Sequence, residues 1–138
     1  MAKKILIVED NLDMRELLHL YLTREGFTVA TASDGREGLY MAGAERPDLI
    51  ITDINMPNLD GLEMIKQLRA QAPFKDLPIL VFTAFGINER DDAIRAGANR
   101  AVDKPMDFES LIDDVNELLE RKNNQESLSD HALPGELL

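Results

Sequence analysis

The 138-residue sequence has no cysteine, which excludes disulfides, thiolate catalysis and cysteine-ligated metal sites. Basic residues are scarce. Twenty-six Asp and Glu stand against 15 Lys and Arg, a formal net charge of −11. The basic footprint that nucleic acid requires is therefore missing, and so is the one that docks on anionic lipid. An acidic surface suits metal cations and basic protein partners instead. No apolar run approaches the roughly 18 residues of a membrane span. In "MAKKILIVED" only four apolar residues separate the lysines from the first acid, too few for a signal peptide. No glycine-rich phosphate loop follows that run, and the acidic "VEDNLD" would repel phosphate without a metal. The expectation is a soluble cytoplasmic domain with no direct nucleic-acid binding and no membrane insertion.

What is present is an alternation of two periodicities. "ILIV", "FTVATA", "DLIITD", "PILVFTA" and "RAVD" are short apolar or β-branched runs, of the kind that form strands buried on both faces. Between them lie helical patterns. Met14, Leu17, Leu18, Tyr21 and Leu22 form a stripe that Gly26 closes. "DGREGLYMAGAE" is a weaker helix because of its internal glycines. Leu62, Ile65 and Leu68 share a face. "INERDDAIRAGA" is a short helix ended by Gly97. "DFESLIDDVNELLERK" carries Phe108, Leu111, Ile112, Val115, Leu118 and Leu119 at helical spacing behind Asp107, a helix cap. Five strands alternating with five helices imply parallel βαβ units. After Lys122 the periodicity stops, and residues 123–138 read as a polar tail or linker.

In a parallel sheet with right-handed crossovers all strand C-termini lie along one edge, where open α/β sheets bind ligands. Here the first strand ends on Glu9 and Asp10, the third on Asp53, the fourth on Thr83 and the fifth near Lys104; the second ends less distinctively in "TASD". Taken singly, each has an ordinary reading. An Asp at a strand end is usually a cap or turn former, and a lone lysine is a solvated charge. Together they place three carboxylates, a hydroxyl and an ammonium in one patch. Carboxylates so close repel one another unless a cation sits among them. An all-oxygen donor set suits Mg2+, which keeps several waters and takes one or two carboxylates. Asp10 and Asp53 are the candidate direct ligands, Glu9 would hold a metal-bound water, and the Asn55 carbonyl would complete the shell.

The chain resembles the receiver domain of bacterial two-component response regulators, the chemotaxis-regulator type. The resemblance rests on "ILIVEDN", on "DLIITDINMPNLDG", on "PILVFTA" and on "DKP", in that order, and spans residues 3 to about 121. It implies a doubly wound, flavodoxin-like (βα)5 three-layer sandwich, with residues 1–122 as the receiver. It implies that Asp53 is the phosphoacceptor, with Glu9, Asp10 and Asp53 forming a Mg2+ pocket. Thr83 would be the switch hydroxyl and Lys104 the partner of the phosphoryl oxygens. Pro105 would follow in a peptide bond often cis in this family. The implied partners are a histidine kinase or phosphotransfer protein, and a downstream protein bound by the face of the fourth helix, fifth strand and fifth helix. A homodimer stays open. The implied function is a phosphorylation-dependent switch rather than an enzyme with a separate substrate.

One position departs from the family pattern. The fifth strand usually carries Tyr or Phe three residues before the lysine; here it carries Ala101. Coupling would then pass to the bulky Phe85, two residues after Thr83. Two other readings carry less weight. An adaptor independent of phosphorylation has no use for the full acidic set. An aspartyl-phosphate hydrolase needs a second acid two residues after the nucleophile, where this chain has Asn55.

Overall fold

The computed structural model describes residues 2–84, 86–104 and 107–131, with the side chains of residues 87 and 124–131 outside the description. Five strands, β1 (Lys4–Val8), β2 (Thr28–Ala32), β3 (Leu49–Thr52), β4 (Ile79–Thr83) and β5 (Arg100–Asp103), alternate with five helices, α1 (Leu12–Arg24), α2 (Gly35–Glu45), α3 (Gly61–Arg69), α4 (Ile87–Ala96) and α5 (Phe108–His131). All neighbouring strands are parallel, in the order β2-β1-β3-β4-β5.

The period-two alternation of a strand sorts the apolar runs onto two faces. Ile5, Ile7, Leu49, Ile51, Leu80 and Phe82 face α1 and α5, where Leu18, Leu22, Leu111 and Val115 meet them. Leu6, Val8, Ile50, Ile79 and Val81 point the other way, onto Met64, Ile65, Leu68 and Ala93 of α3 and α4. This is the expected doubly wound three-layer sandwich.

Three local expectations change. Leu17 belongs to the predicted stripe of α1 but stays 44% exposed, because Leu18 and Leu22 already fill the seam with the sheet. On α3 the fully buried Met64 joins Ile65 and Leu68, and Leu62 packs half-buried against the same cluster. Met64 has room because α2 passes close by at Gly38, where a Cβ would lie 2.7 Å from the Met64 sulfur and 3.1 Å from Val8. The glycine that weakens α2 as an isolated helix is what seats it. Finally, α5 does not stop near Lys122; its backbone stays helical to His131. No glycine or proline interrupts residues 108–131, and Pro134 is the first breaker beyond them. Residues 132–138 of the expected tail lie outside the described residues.

The helix starts separate structural acids from the rest. Asp34, Asp60 and Asp107 accept hydrogen bonds from the third backbone amide after each of them, at 2.7–2.8 Å, as N-caps do. Asn11 does the same for α1, accepting from the Met14 amide at 2.8 Å. The ending "TASD" is thus a cap. Glu9, Asp10 and Asp53 cap nothing.

Candidate functional site

Asp53 stands just past β3, and its amide donates to the Val8 carbonyl at 3.1 Å. That puts it at the border of β1 and β3. From there one crossover leads to β2 and the others lead away to β4 and β5, the switch point where such sheets bind ligands. The local backbone is tightly held. The Ile54 amide donates to Asp53 Oδ1 at 2.6 Å, and Thr52 Oγ1 donates to the Asp53 carbonyl at 2.8 Å. Gly61 opens α3 directly against this segment, and a Cβ there would overlap the Asp53 carbonyl oxygen. Only glycine fits without moving the backbone that carries Asp53.

Glu9, Asp10 and Asp53 each bring a carboxylate oxygen within 4.8 Å of the others. Lys104 comes in from the far side of the sheet, its amide donating to the Thr83 carbonyl at 2.7 Å. Its ammonium donates to Glu9 Oε1 at 2.6 Å and to Asp53 Oδ2 at 3.0 Å, and lies 5.5 Å from the centre of the Phe82 ring. Burial pushes the Glu9 carboxyl above its ordinary range, against the pull of Lys104. Burial also works against the Lys104 charge, but its hydrogen bonds to Glu9 and Asp53 outweigh that and raise its pKa. The ammonium is therefore the firmly charged partner. Three carboxylates against one ammonium leave a formal excess of two negative charges. Hard oxygen donors carrying that excess fit a divalent ion such as Mg2+.

Thr83 is fully buried at the end of β4, and its Oγ1 has no hydrogen-bond partner among the described residues. An orphaned buried hydroxyl is destabilising and marks a position where a polar group is wanted. Asn55 lies exposed in the loop after Asp53. Ala101 pairs with Val81 across β4 and β5 and packs on the α2–α4 side of the core. Phe85 and Pro105 lie outside the described residues. Two contacts had no signal in the sequence: the Asn11 amide donates to Glu9 Oε2 at 3.2 Å, and the Arg15 guanidinium reaches back to the loop that holds Glu9 and Asp10. Among the described residues no helix is long and apolar enough to cross a membrane.

The family model of the response regulator receiver domain matches residues 5–116. Response regulator MprA of Mycolicibacterium vanbaalenii is 39% identical over 133 residues, which are 96% of this chain and 57% of that protein. The chain thus spans little more than half the length of the curated relatives it matches. The chemotaxis response regulator CheY4 of Vibrio cholerae superposes with a TM-score of 0.81 at 34% identity, over 86% of this chain and 99% of that one. The receiver domain of the sensor histidine kinase PA1611 from Pseudomonas aeruginosa superposes with a TM-score of 0.82 at 28% identity, over 87% of this chain and 99% of that one. That structure has a magnesium ion coordinated in its active-site cleft. With strand order, acidic edge and family match in agreement, the chain belongs to the response regulator receiver domains, a signalling family.

Proposed function

We propose that this chain is a phosphorylation-dependent switch of a cytoplasmic two-component relay, in which Asp53 accepts a phosphoryl group from a histidine kinase or phosphotransfer protein. The observation that carries the reading is the Lys104 ammonium spanning Glu9 and Asp53, with Asp10 beside them. A carboxylate is a weak nucleophile that can form an aspartyl phosphate. Its oxygen attacks phosphorus as the bond to the donor nitrogen breaks, and the electron pair leaves with the donor. In this reading Asp10, Asp53 and the Asn55 carbonyl would hold Mg2+, with Glu9 on a bound water; when bound, the ion would neutralise charge on the phosphoryl oxygens. Lys104 exchanges its Asp53 contact for a phosphoryl oxygen while Glu9 keeps it in place.

Thr83 then gains the partner it lacks, by donating to the phosphoryl group. Its movement would bias the face of α4, β5 and α5 between two arrangements, read by a downstream protein or a second copy of the chain. With a methyl at Ala101, a ring at that position has no part in the coupling. Phosphorylation and dephosphorylation of Asp53 are the only chemistry this reading assigns.

The test is intact mass after incubation with acetyl phosphate and Mg2+. The parent should carry one phosphoryl adduct, dependent on Mg2+, and Asp53→Asn none. No adduct in the parent, or a full adduct in the variant, overturns the assignment.

Thr83→Val supplies a second expected result. Val matches the shape of Thr and removes the orphaned hydroxyl, so the unphosphorylated protein should gain on the order of 1 kcal/mol of stability. The variant should still take up phosphate but lose the amide shifts that a phosphoryl mimic induces along residues 86–104. Chemical denaturation together with amide spectra checks both halves. Destabilisation, or an unchanged response to the mimic, contradicts the role given to the hydroxyl.

A further inference from the structure

Glu9 and Asp10 are consecutive, just past the end of β1 where the chain bends; in a regular strand such neighbours would point to opposite sides. Both nevertheless bring a carboxylate oxygen to the Asp53 cluster. Glu9 is held in several ways: its amide donates to the Ala32 carbonyl at 3.0 Å, Lys104 holds Oε1 at 2.6 Å, and the Asn11 amide holds Oε2 at 3.2 Å. The Asp10 carboxylate has no hydrogen-bond partner among the described residues and is exposed. Its aim is set by the backbone alone. That backbone is gripped from one turn into α1, where Arg15 Nη1 donates to the Glu9 carbonyl at 2.8 Å and approaches the Asp10 carbonyl at 3.5 Å.

We propose that Arg15 is a positioning residue for the cation pocket: by holding the carbonyls of Glu9 and Asp10 it fixes the two peptide units that aim these acids, and so sets the affinity for Mg2+. The proposal rests on the cluster being the metal site of the preceding section.

Electrostatics and positioning predict opposite signs here. Arg15 is a positive charge beside a cation site, so its charge alone weakens Mg2+ binding, and removing it would tighten binding. Loss of the brace instead lets Asp10 wander and loosens binding. Groups that orient a metal ligand without touching the metal are worth on the order of ten- to a hundredfold in affinity. Arg15 is half-buried and acts on backbone, so the lower end applies. Arg15→Lys separates the two effects further. It keeps the charge but replaces the planar fork with a single hydrated ammonium.

The experiment is Mg2+ titration of the unphosphorylated protein by calorimetry, with thermal melting of each metal-free variant alongside. Arg15→Met and Arg15→Lys should both raise the Mg2+ dissociation constant about tenfold, with metal-free melting temperatures near that of the parent and altered amide shifts at Asp10 and Asn11. Equal or tighter binding by Arg15→Met overturns the proposal, and so does full affinity in Arg15→Lys. If Arg15→Met fails to fold, Arg15→Lys decides alone. A parent that binds no Mg2+ sinks the metal-site reading and this proposal with it. A parent that binds normally, beside Arg15 variants that also bind normally, sinks only this one.

Discussion

Lys104→Met is expected to destabilise the metal-free protein at neutral pH and to enlarge the stabilisation that Mg2+ provides. Methionine keeps an unbranched apolar stem beside the Phe82 ring while removing the ammonium that serves Glu9 and Asp53 together. Removing one partner of a buried ion pair generally costs about 3–5 kcal/mol, because the other charge is left uncompensated. Here Glu9 is buried but Asp53 and Lys104 are only partly so. Glu9 can also take up a proton. The expected loss is therefore lower, about 2–3 kcal/mol.

Its pH dependence follows from Glu9. Burial already raises that pKa in the folded state, and loss of Lys104 removes the main opposing pull. The folded variant then binds more protons than the unfolded chain. Stability must fall as pH rises from the unfolded toward the folded pKa of Glu9, so the deficit against the parent is small in acid and full above it. Mg2+ replaces the missing positive charge and should recover most of the loss. Melting curves across pH, with and without Mg2+, test all three statements. Equal melting temperatures and equal Mg2+ responses in parent and variant would show that Lys104 does not neutralise this cluster.

The layers of the fold are legible from the chain because each apolar run is short and each helix has its own stripe or cap. The five strands and their shared C-terminal edge follow from that alternation. What the pattern could not give are effects of close approach. Met64 joins Ile65 and Leu68 in the core while Leu62 packs at its margin, and a side chain at Gly38 would collide with the Met64 sulfur, a distance that the sequence does not encode. Leu17 satisfies the stripe but loses the competition for room beneath α1. The far end of α5 is polar, so its helical backbone leaves no amphipathic trace.

At the site, the residue types and their order along the strand ends are enough to propose the cluster, since carboxylates so close repel one another unless a cation or ammonium sits among them. The pairing of Lys104 with Glu9, across 95 positions of sequence, and the reach of Arg15 to two carbonyls are tertiary facts with no local signature. The sequence marks Asp107 as a cap, but distinguishing Asp34 and Asp60 from Asp10 and Asp53 needs the structure, because only the hydrogen bonds show that the first two cap helices.

That distinction yields the other large effect. Asp10→Asn is expected to stabilise the metal-free protein while weakening Mg2+ binding more than tenfold. Glu9 and Asp53 share Lys104, whereas Asp10 contributes a third negative charge within 4.8 Å of both. In a water-like dielectric, each such like-charge pair is worth about 1 kcal/mol of repulsion. Asparagine keeps the shape, and losing the Asp10 charge removes two such pairs but also its attraction to the neighbouring Lys104 ammonium, a net relief of about 1 kcal/mol. The melting temperature of a domain this size should rise by roughly 3–5 °C. Bound Mg2+ loses a direct ligand and an attractive charge at once, and a tenfold loss corresponds to only about 1.4 kcal/mol. The opposite pattern is expected at a cap. Asp60→Ala should cost about 1 kcal/mol of stability through the lost bond to the Glu63 amide and leave Mg2+ affinity unchanged. Calorimetric titration and thermal melting of the two variants side by side decide the matter. An Asp10→Asn protein that melts lower, or that binds Mg2+ as the parent does, would place the cation elsewhere.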